Sequence, residues 1–258
     1  MIKVGPRCNH ILDALPIVDR LRLGAHLEQV QLSLGGVVHE AGATQHYAYF
    51  PTDSVISLLY VLKNGGSAEV AIVGHDGMVG IPIIMGGGTS PHRAIVQAAG
   101  MALRMKAQHL REECERVGPL LQLLMRYNQA LLIQIGQTAV CNRHHTVDQQ
   151  LCRWLLMSID RLPSSDLTMT QGLIANMLGV RREGVTEAAG KLQRTGAIRY
   201  QRGRITVLDR PQLHRLCCEC YEVVQKEYVR LLPWDTNATV EQRALGSTVV
   251  ARTSTIDS

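Results

Sequence analysis

The stretch from Leu120 to Asn142 constrains the fold most, because its pattern predicts one long, unbroken helix. It contains no proline, and Gly136 is its only glycine. Gly118-Pro119 stands immediately before it, where proline suits the first turn of a helix. Apolar residues recur along it at alternating steps of four and three, and they form two stripes instead of one.

An ordinary surface helix buries a single face, so two stripes require two covering surfaces. We expect one surface to be a neighbouring domain and the other a second copy of this helix, since the spacing is that of a coiled coil. Burial of one helix inside a larger core is the alternative. We predict a dimerisation helix over residues 119–143, whose seam in a homodimer is formed by Leu120, Leu124, Tyr127 and Leu131.

The segment before this helix reads as β-strands. Short apolar runs such as Val55–Val61 and Val70–Val73 alternate with glycine-containing turns such as Asn64-Gly65-Gly66 from about Val30 to Met105. Many short strands between closely spaced turns predict an all-β sandwich or a small barrel.

Positive charge is concentrated after the long helix. Residues 141–216 hold 12 Lys and Arg against 6 Asp and Glu, whereas residues 1–140 hold 11 against 10. A basic module joined to a nearly neutral one favours a polyanionic partner, most simply nucleic acid, although solvated surface arginines would give the same composition.

Residues 168–196 carry the pattern of two short helices joined at a glycine. Thr168 or Thr170 can cap the first helix, and Gly179 follows it where a left-handed residue is wanted. The second helix begins with charged residues and ends before Gly196. This order predicts a helix-turn-helix whose second helix can enter a DNA major groove.

A basic hairpin follows the helix pair. The run Ala197–Leu208 alternates in polarity, turns at Arg202-Gly203 and carries Arg199 and Arg204. Such a hairpin forms a wing that reaches phosphate oxygens.

Several functional classes find no support in the sequence. No apolar run is long enough to span a membrane, and the start of the chain lacks the apolar stretch of a signal peptide. No catalytic or nucleotide-binding motif is present, so we expect no enzyme. The seven cysteines include one dense cluster of Cys217, Cys218 and Cys220. That cluster fits metal or redox chemistry or simply small apolar residues on a helix, and no metal site is predicted.

These residues together resemble the Crp/Fnr superfamily of bacterial transcription regulators. The most specific match is Ala175-x-x-Leu178-Gly179-Val180-x-Arg182-Glu183-x-Val185, followed by the wing from Gly196 to Asp209. The resemblance implies an α+β fold with an N-terminal antiparallel, jelly-roll-like β-roll, a long dimerisation helix and a C-terminal winged helix-turn-helix. The implied domains are residues 1–118 (β-roll sensor with N-terminal helices), 119–143 (dimerisation helix), 144–232 (DNA-binding domain) and 233–258 (a disordered tail).

The same resemblance implies which residues meet DNA. Base contacts are expected from the start of the second helix, at Arg182, Glu183, Thr186 and Glu187. Arg can bond guanine bidentately and Glu can accept from cytosine. Glu187 stands where many relatives have a basic residue, so their consensus site does not transfer. Phosphate contacts are expected from Thr168, Thr170, Arg181, Lys191, Arg199, Arg202 and Arg204.

The sensor half departs from relatives that bind cyclic nucleotides. Ile81 stands where those relatives place the carboxylate that holds the ribose, and a hydrocarbon side chain cannot accept a hydroxyl hydrogen bond. We therefore disfavour ordinary cyclic AMP, and the effector is unidentified. An iron–sulfur cluster of the N-terminal kind is excluded, because only Cys8 lies there. The possible effector pocket is assigned to Gly80, Ile81, His92, Arg93, Asn128 and Ile135.

The resulting expectation is a cytoplasmic homodimer that binds a roughly palindromic double-stranded DNA site and answers a signal at the β-roll. It would contact RNA polymerase if it is an activator, and no membrane. The alternative is an effector-independent regulator or a protein-interaction module with a vestigial pocket.

Overall fold

The computed structural model describes residues 9–232. The N-terminal half contains short helices and seven strands. Their bounds are α1 His10–Asp13, α2 Ile17–Gly24, β1 Glu28–Leu32, β2 Val37–His39, β3 Tyr47–Pro51, β4 Val55–Val61, β5 Ser67–Val73, α3 Ile81–Ile84, β6 Arg93–Ala98 and β7 Gly100–Lys106. The predicted strand region is confirmed.

The seven strands form two antiparallel sheets, with orders β1-β7-β3 and β2-β6-β4-β5. Alternate residues face the space between sheets, and Phe50, Ile56 and Met105 are fully enclosed there. The register shifts between Leu58 and Leu59 where β4 pairs with β5.

Helix α4 (Ala107–Glu115) leads into the long helix α5 (Pro119–His144), which confirms the predicted helix. However, the stripe predicted to form the dimer seam is the buried one. Leu120, Leu124, Tyr127 and Leu131 are at most 7% exposed, because this stripe packs inside the chain itself. They cannot form the dimer seam. The other stripe is the open one, with Met125 51% and Leu132 55% exposed.

The C-terminal part contains α6 (Val147–Asp160), β8 (Asp166–Thr168), α7 (Gln171–Leu178), α8 (Arg182–Arg194), β9 (Ile198–Gln201), β10 (Arg204–Val207), α9 (Arg210–Leu216) and α10 (Cys220–Leu231). Three of its strands form a small sheet of order β8-β10-β9. The sequence pattern from Asp209 to Leu232 predicts a single helix, and this prediction is wrong because the structure forms two. The chain breaks at Cys217–Glu219, where the backbone of Cys217 is extended.

One apolar core runs through the β-roll, α5 and the C-terminal helices. Helix α7 packs against strand β5, and Gln97 of β6 donates a hydrogen bond to Ser158 of α6 at 2.8 Å. The α+β class is confirmed. Because the core is continuous, the domain boundaries at residues 118, 143 and 232 stay predictions. The tail predicted over residues 233–258 lies outside the described residues.

Candidate nucleic-acid interface

The turn between α7 and α8 is built by local backbone chemistry. Thr170 caps α7, and its hydroxyl oxygen accepts from the Leu173 amide at 3.3 Å. Gly179 ends the helix with φ 67° and ψ 31°, which is the left-handed region that a side chain rarely adopts. The chain therefore turns sharply enough for α8 to begin at Arg182.

Helix α8 buries one face and leaves its first turns open. Val185, Ala188, Ala189 and Leu192 are buried, as the sequence predicted. The predicted base-contacting residues Arg182, Glu183, Thr186 and Glu187 are all exposed. An α-helix fits the width of the DNA major groove, with its N-terminal side chains nearest to the base edges.

Three predicted contact residues of α8 are held by partners within the chain. The Thr186 hydroxyl lies 2.8 Å from Oε1 of Gln171, which joins α8 to the start of α7. Lys191 is bonded to Asp148 at 3.0 Å and to Glu187 at 3.1 Å. Hydrogen bonds with Asp148 and Glu187 raise the pKa of Lys191. With two carboxylate partners, Lys191 keeps one N–H for a phosphate.

The wing turns where the sequence placed it. Arg202 and Gly203 have φ of 49° and 76°, so the tight turn uses two left-handed residues. Arg199 and Arg202 are exposed. Arg204 is also exposed but forms an ion pair with Asp166 of β8.

Contacts between the wing and the helix pair bring the two surfaces together. The amide of Met169 donates to Gly203 O at 2.7 Å, and Thr168 is opposite Arg204 in the sheet. The phenolic hydroxyl of Tyr200 donates to Met169 O at 3.1 Å. The exposed residues predicted to meet phosphate are Thr168, Thr170, Arg181, Lys191, Arg199, Arg202 and Arg204.

The predicted effector residues belong to three different elements. Gly80 and Ile81 are buried at the start of α3, His92 and Arg93 lie at the start of β6, and Asn128 and Ile135 belong to the open stripe of α5. Within residues 9–232, no hydrogen bond or ion pair joins these three pairs. The effector pocket therefore stays a prediction.

The positive charge of the His92–Arg93 pair is largely offset by a neighbouring carboxylate. Arg93 is bonded to Glu40, with Nε 2.8 Å from Oε2. Burial and the neighbouring His39 lower the pKa of His92 to about 4, so His92 is neutral near pH 7. The pair therefore offers little net positive charge to a cyclic phosphate.

A different space lies where the β-roll meets the C-terminal part. A cavity of about 330 Å³ is lined by Leu34, Asp53 and residues 97–99 of the β-roll, and by residues 162–164 and 166–168. Sequence analysis missed this cavity, because the segments that line it are far apart in the chain. No local motif marks these residues.

The architecture combines a β-roll, a long helix and a winged helix-turn-helix. The sequence profile of the Crp-like helix-turn-helix domain matches residues 149–216. No curated protein matches the chain. Within the described residues, none of the helices has the length and apolar character needed to cross a membrane.

Solved structures of Crp/Fnr regulators share this fold over about three quarters of the chain. A Crp/Fnr-family regulator from Eubacterium rectale is 16% identical, with a TM-score of 0.61 over 80% of this chain and 96% of that one. FixK2 from Bradyrhizobium japonicum is 15% identical, with a TM-score of 0.61 over 74% and 98%. A family member from Thermus thermophilus is 20% identical, with a TM-score of 0.57 over 73% and 97%. Residues 149–216 thus match a Crp-like helix-turn-helix domain, and the chain shares the fold of these regulators.

Proposed function

We propose that the protein is a sequence-specific, homodimeric transcription regulator that binds a roughly palindromic DNA site and is controlled by a signal at its β-roll. It is a cytoplasmic, non-catalytic protein in this proposal, and it contacts RNA polymerase if it activates. The observation that carries the proposal is the exposed start of α8 beside a basic wing.

The chemistry of that surface supports base reading. Arg182 and Glu183 begin the helix on its open face, where Arg can bond guanine and Glu can accept from cytosine. Thr186 and Glu187 lie one turn further on. Arg181, Arg199 and Arg202 are exposed around them, and positive charges at such positions fix the register on the phosphate backbone.

The open stripe of α5 supports pairing of two chains. This stripe repeats at alternating steps of four and three residues, a spacing that suits a coiled coil. Its members are Leu121, Met125, Asn128, Leu132, Ile135 and Ala139. An apolar stripe left open on a long helix is typical of an interaction surface. In a dimer with twofold symmetry, the two α8 helices would read half-sites about 34–36 Å apart.

A specific observation also supports an effector-independent regulator as a second candidate. Ile81 is buried, Arg93 is bonded to Glu40, and His92 is neutral near pH 7. These contacts oppose binding of a cyclic nucleotide at the predicted pocket. A signal would instead have to act elsewhere on the β-roll, and the cavity facing residues 162–168 is a candidate place.

Selection of bound fragments from genomic DNA by the purified protein tests the function. Recovery of fragments that share a motif with twofold symmetry supports the proposal. Retention of the same motif without added small molecules favours the effector-independent candidate. Fragments without any common motif, bound no better than heparin, would overturn sequence-specific regulation.

A further inference from the structure

Four potential metal ligands from two distant segments meet at the end of α5. Cys141 and His145 lie one helical turn apart there, while Cys218 lies in the connection between α9 and α10 and Cys220 is the first residue of α10. Their ligand atoms all lie within 4.8 Å of one another. The three cysteines are buried and His145 is half-buried, so the four groups form an enclosed cluster.

Two of the distances between these atoms match the ligand spacing around a single tetrahedral ion. Sγ of Cys141 is 3.6 Å from Sγ of Cys218, and Sγ of Cys220 is 3.5 Å from Nδ1 of His145. Metal–ligand bonds of about 2.0–2.3 Å in a tetrahedron place neighbouring ligand atoms roughly 3.4–3.8 Å apart. We propose that Cys141, His145, Cys218 and Cys220 bind one Zn²⁺ ion.

Glu219 and Gln137 contact two of the proposed ligands and hold them in place. Nε2 of His145 lies 3.3 Å from a carboxylate oxygen of Glu219, which leaves Nδ1 to face the sulfur atoms. Nε2 of Gln137 donates to Sγ of Cys220 at 3.1 Å. Carboxylates on the far nitrogen of a ligating histidine, and hydrogen bonds to the other ligands, fix their geometry.

The donor set selects the metal. Three cysteines and one histidine form a common structural zinc set, and soft thiolates also disfavour Mg²⁺ and Ca²⁺. An iron–sulfur cluster fits less well, because its ligands bind different iron atoms and therefore lie further apart than the ligands of one ion. A disulfide between Cys141 and Cys218 would leave His145, Glu219 and Gln137 without a common role.

The position of the cluster gives the ion a mechanical role. His145 immediately precedes Thr146, which caps α6, and Cys141 lies one turn earlier. Cys218 lies between α9 and α10, and Cys220 begins α10. A bound ion would fasten the end of the long helix to the far end of the DNA-binding part. The sequence predicted no metal site, because Cys141 and His145 are remote from the cysteine cluster in sequence.

Metal analysis of the full chain, expressed without a histidine tag and purified under reducing, anaerobic conditions, tests the site. We expect about one zinc ion per chain. The zinc should be lost in Cys218→Ser and in Cys220→Ser and retained in Cys114→Ser, which removes a buried cysteine of α4. Replacement of zinc by Co²⁺ should give the intense visible absorption of a tetrahedral ion with thiolate charge-transfer bands.

The variant His145→Cys provides a test that does not depend on loss of the fold. It should keep the metal and shift the Co²⁺ spectrum to that of four thiolates. If Cys218→Ser fails to fold, the Co²⁺ spectra of the natural chain and of His145→Cys decide the matter. Zinc below about a tenth of an ion per chain without a tetrahedral Co²⁺ spectrum, an iron–sulfur absorption spectrum, zinc undiminished in Cys218→Ser, or a Cys141–Cys218 disulfide would each overturn the proposal.

Discussion

Arg161 and Asp76 form a bidentate ion pair between the C-terminal part and the β-roll. Nη2 of Arg161 is 2.6 Å from Oδ2 of Asp76, Nε is 3.0 Å from Oδ1, and the arginine side chain is 2% exposed. Burial favours the neutral carboxyl, but Arg161 and His75 outweigh it and hold the pKa of Asp76 below its usual value. The pair thus fixes α6 to the turn that follows β5.

Removal of one member of this pair should destabilise the fold strongly. We expect Asp76→Asn to lower the free energy of unfolding by about 3–5 kcal/mol, because Arg161 would keep a buried, uncompensated charge. Urea unfolding measures the change. The matched control is Asp166→Asn, which breaks the exposed pair with Arg204 and should cost at most about 1 kcal/mol. Equal small losses in both variants would contradict this account.

Glu69 of β5 should make stability fall as pH rises. Burial raises the pKa of Glu69 from 4.5 to about 7, although Ser57 and Arg153 oppose the change. The folded chain therefore holds this proton more tightly than the unfolded chain, and its contribution is lost between about pH 4.5 and pH 7.

The variant Glu69→Gln should remove that loss, so that its stability relative to the natural chain improves by roughly 1–3 kcal/mol from pH 5 to pH 8. Unfolding curves at several pH values provide the measurement. Glu40→Gln, which changes an exposed glutamate, serves as the control. A natural chain and a Glu69→Gln variant with parallel pH profiles would refute the raised pKa.

Arg182→Ala should weaken binding to the selected DNA site by about 1–3 kcal/mol and leave random DNA almost unaffected, because a base contact is lost. Binding isotherms on both duplexes provide the measurement. Arg194→Ala removes an exposed arginine from the last turn of the same helix and should change neither. Equal loss on both duplexes would make Arg182 a phosphate contact.

Arg204→Ala should weaken binding to all duplexes alike and lower the slope of log K against log salt by about one unit, since one phosphate contact disappears. A titration series at several salt concentrations measures the slope. Arg111→Ala, an exposed arginine of α4, is the comparison. An unchanged slope would mean that Arg204 serves only its pair with Asp166.

A charge on the open stripe of α5 should separate the two chains of the proposed dimer. Leu132→Glu places a carboxylate on a side chain that is 55% exposed, so the fold should survive while pairing is lost. Sedimentation velocity distinguishes monomer from dimer. Val18→Glu adds the same charge to an equally open position on α2 and should remain dimeric. A Leu132→Glu protein that is still a dimer would refute this surface.

Local patterns predicted the elements of the fold but not which faces meet. The spacing of apolar residues predicted α5, and Gly179 and Gly203 predicted the two sharp turns that shape the helix pair and the wing. The stripe assignment was wrong because both stripes are apolar, and the inner one is distinguished by long-range polar contacts. Gln134 accepts from Ile72 N at 2.8 Å and donates to the Tyr228 hydroxyl at 2.7 Å.

Sites assembled from distant segments escaped sequence analysis for the same reason. The pattern Cys141-x-x-x-His145 places two ligands on one helix face, and this was the available signal. Its partners Cys218 and Cys220 follow only after the chain has built the whole winged domain. The break at Cys217–Glu219 was missed because the segment contains neither proline nor glycine.

Gly77 follows Asp76 in the turn after β5, and it lets a side chain of α5 approach the main chain closely. A Cβ at this position would lie 2.5 Å from the Tyr127 hydroxyl oxygen, so the aromatic ring of α5 rests directly on bare main chain. The neighbouring Asp76 is paired with Arg161 at the end of α6. A methyl group at Gly77 would therefore collide with Tyr127 of α5. The shift needed to relieve this collision would also strain the adjacent pair of Asp76 and Arg161.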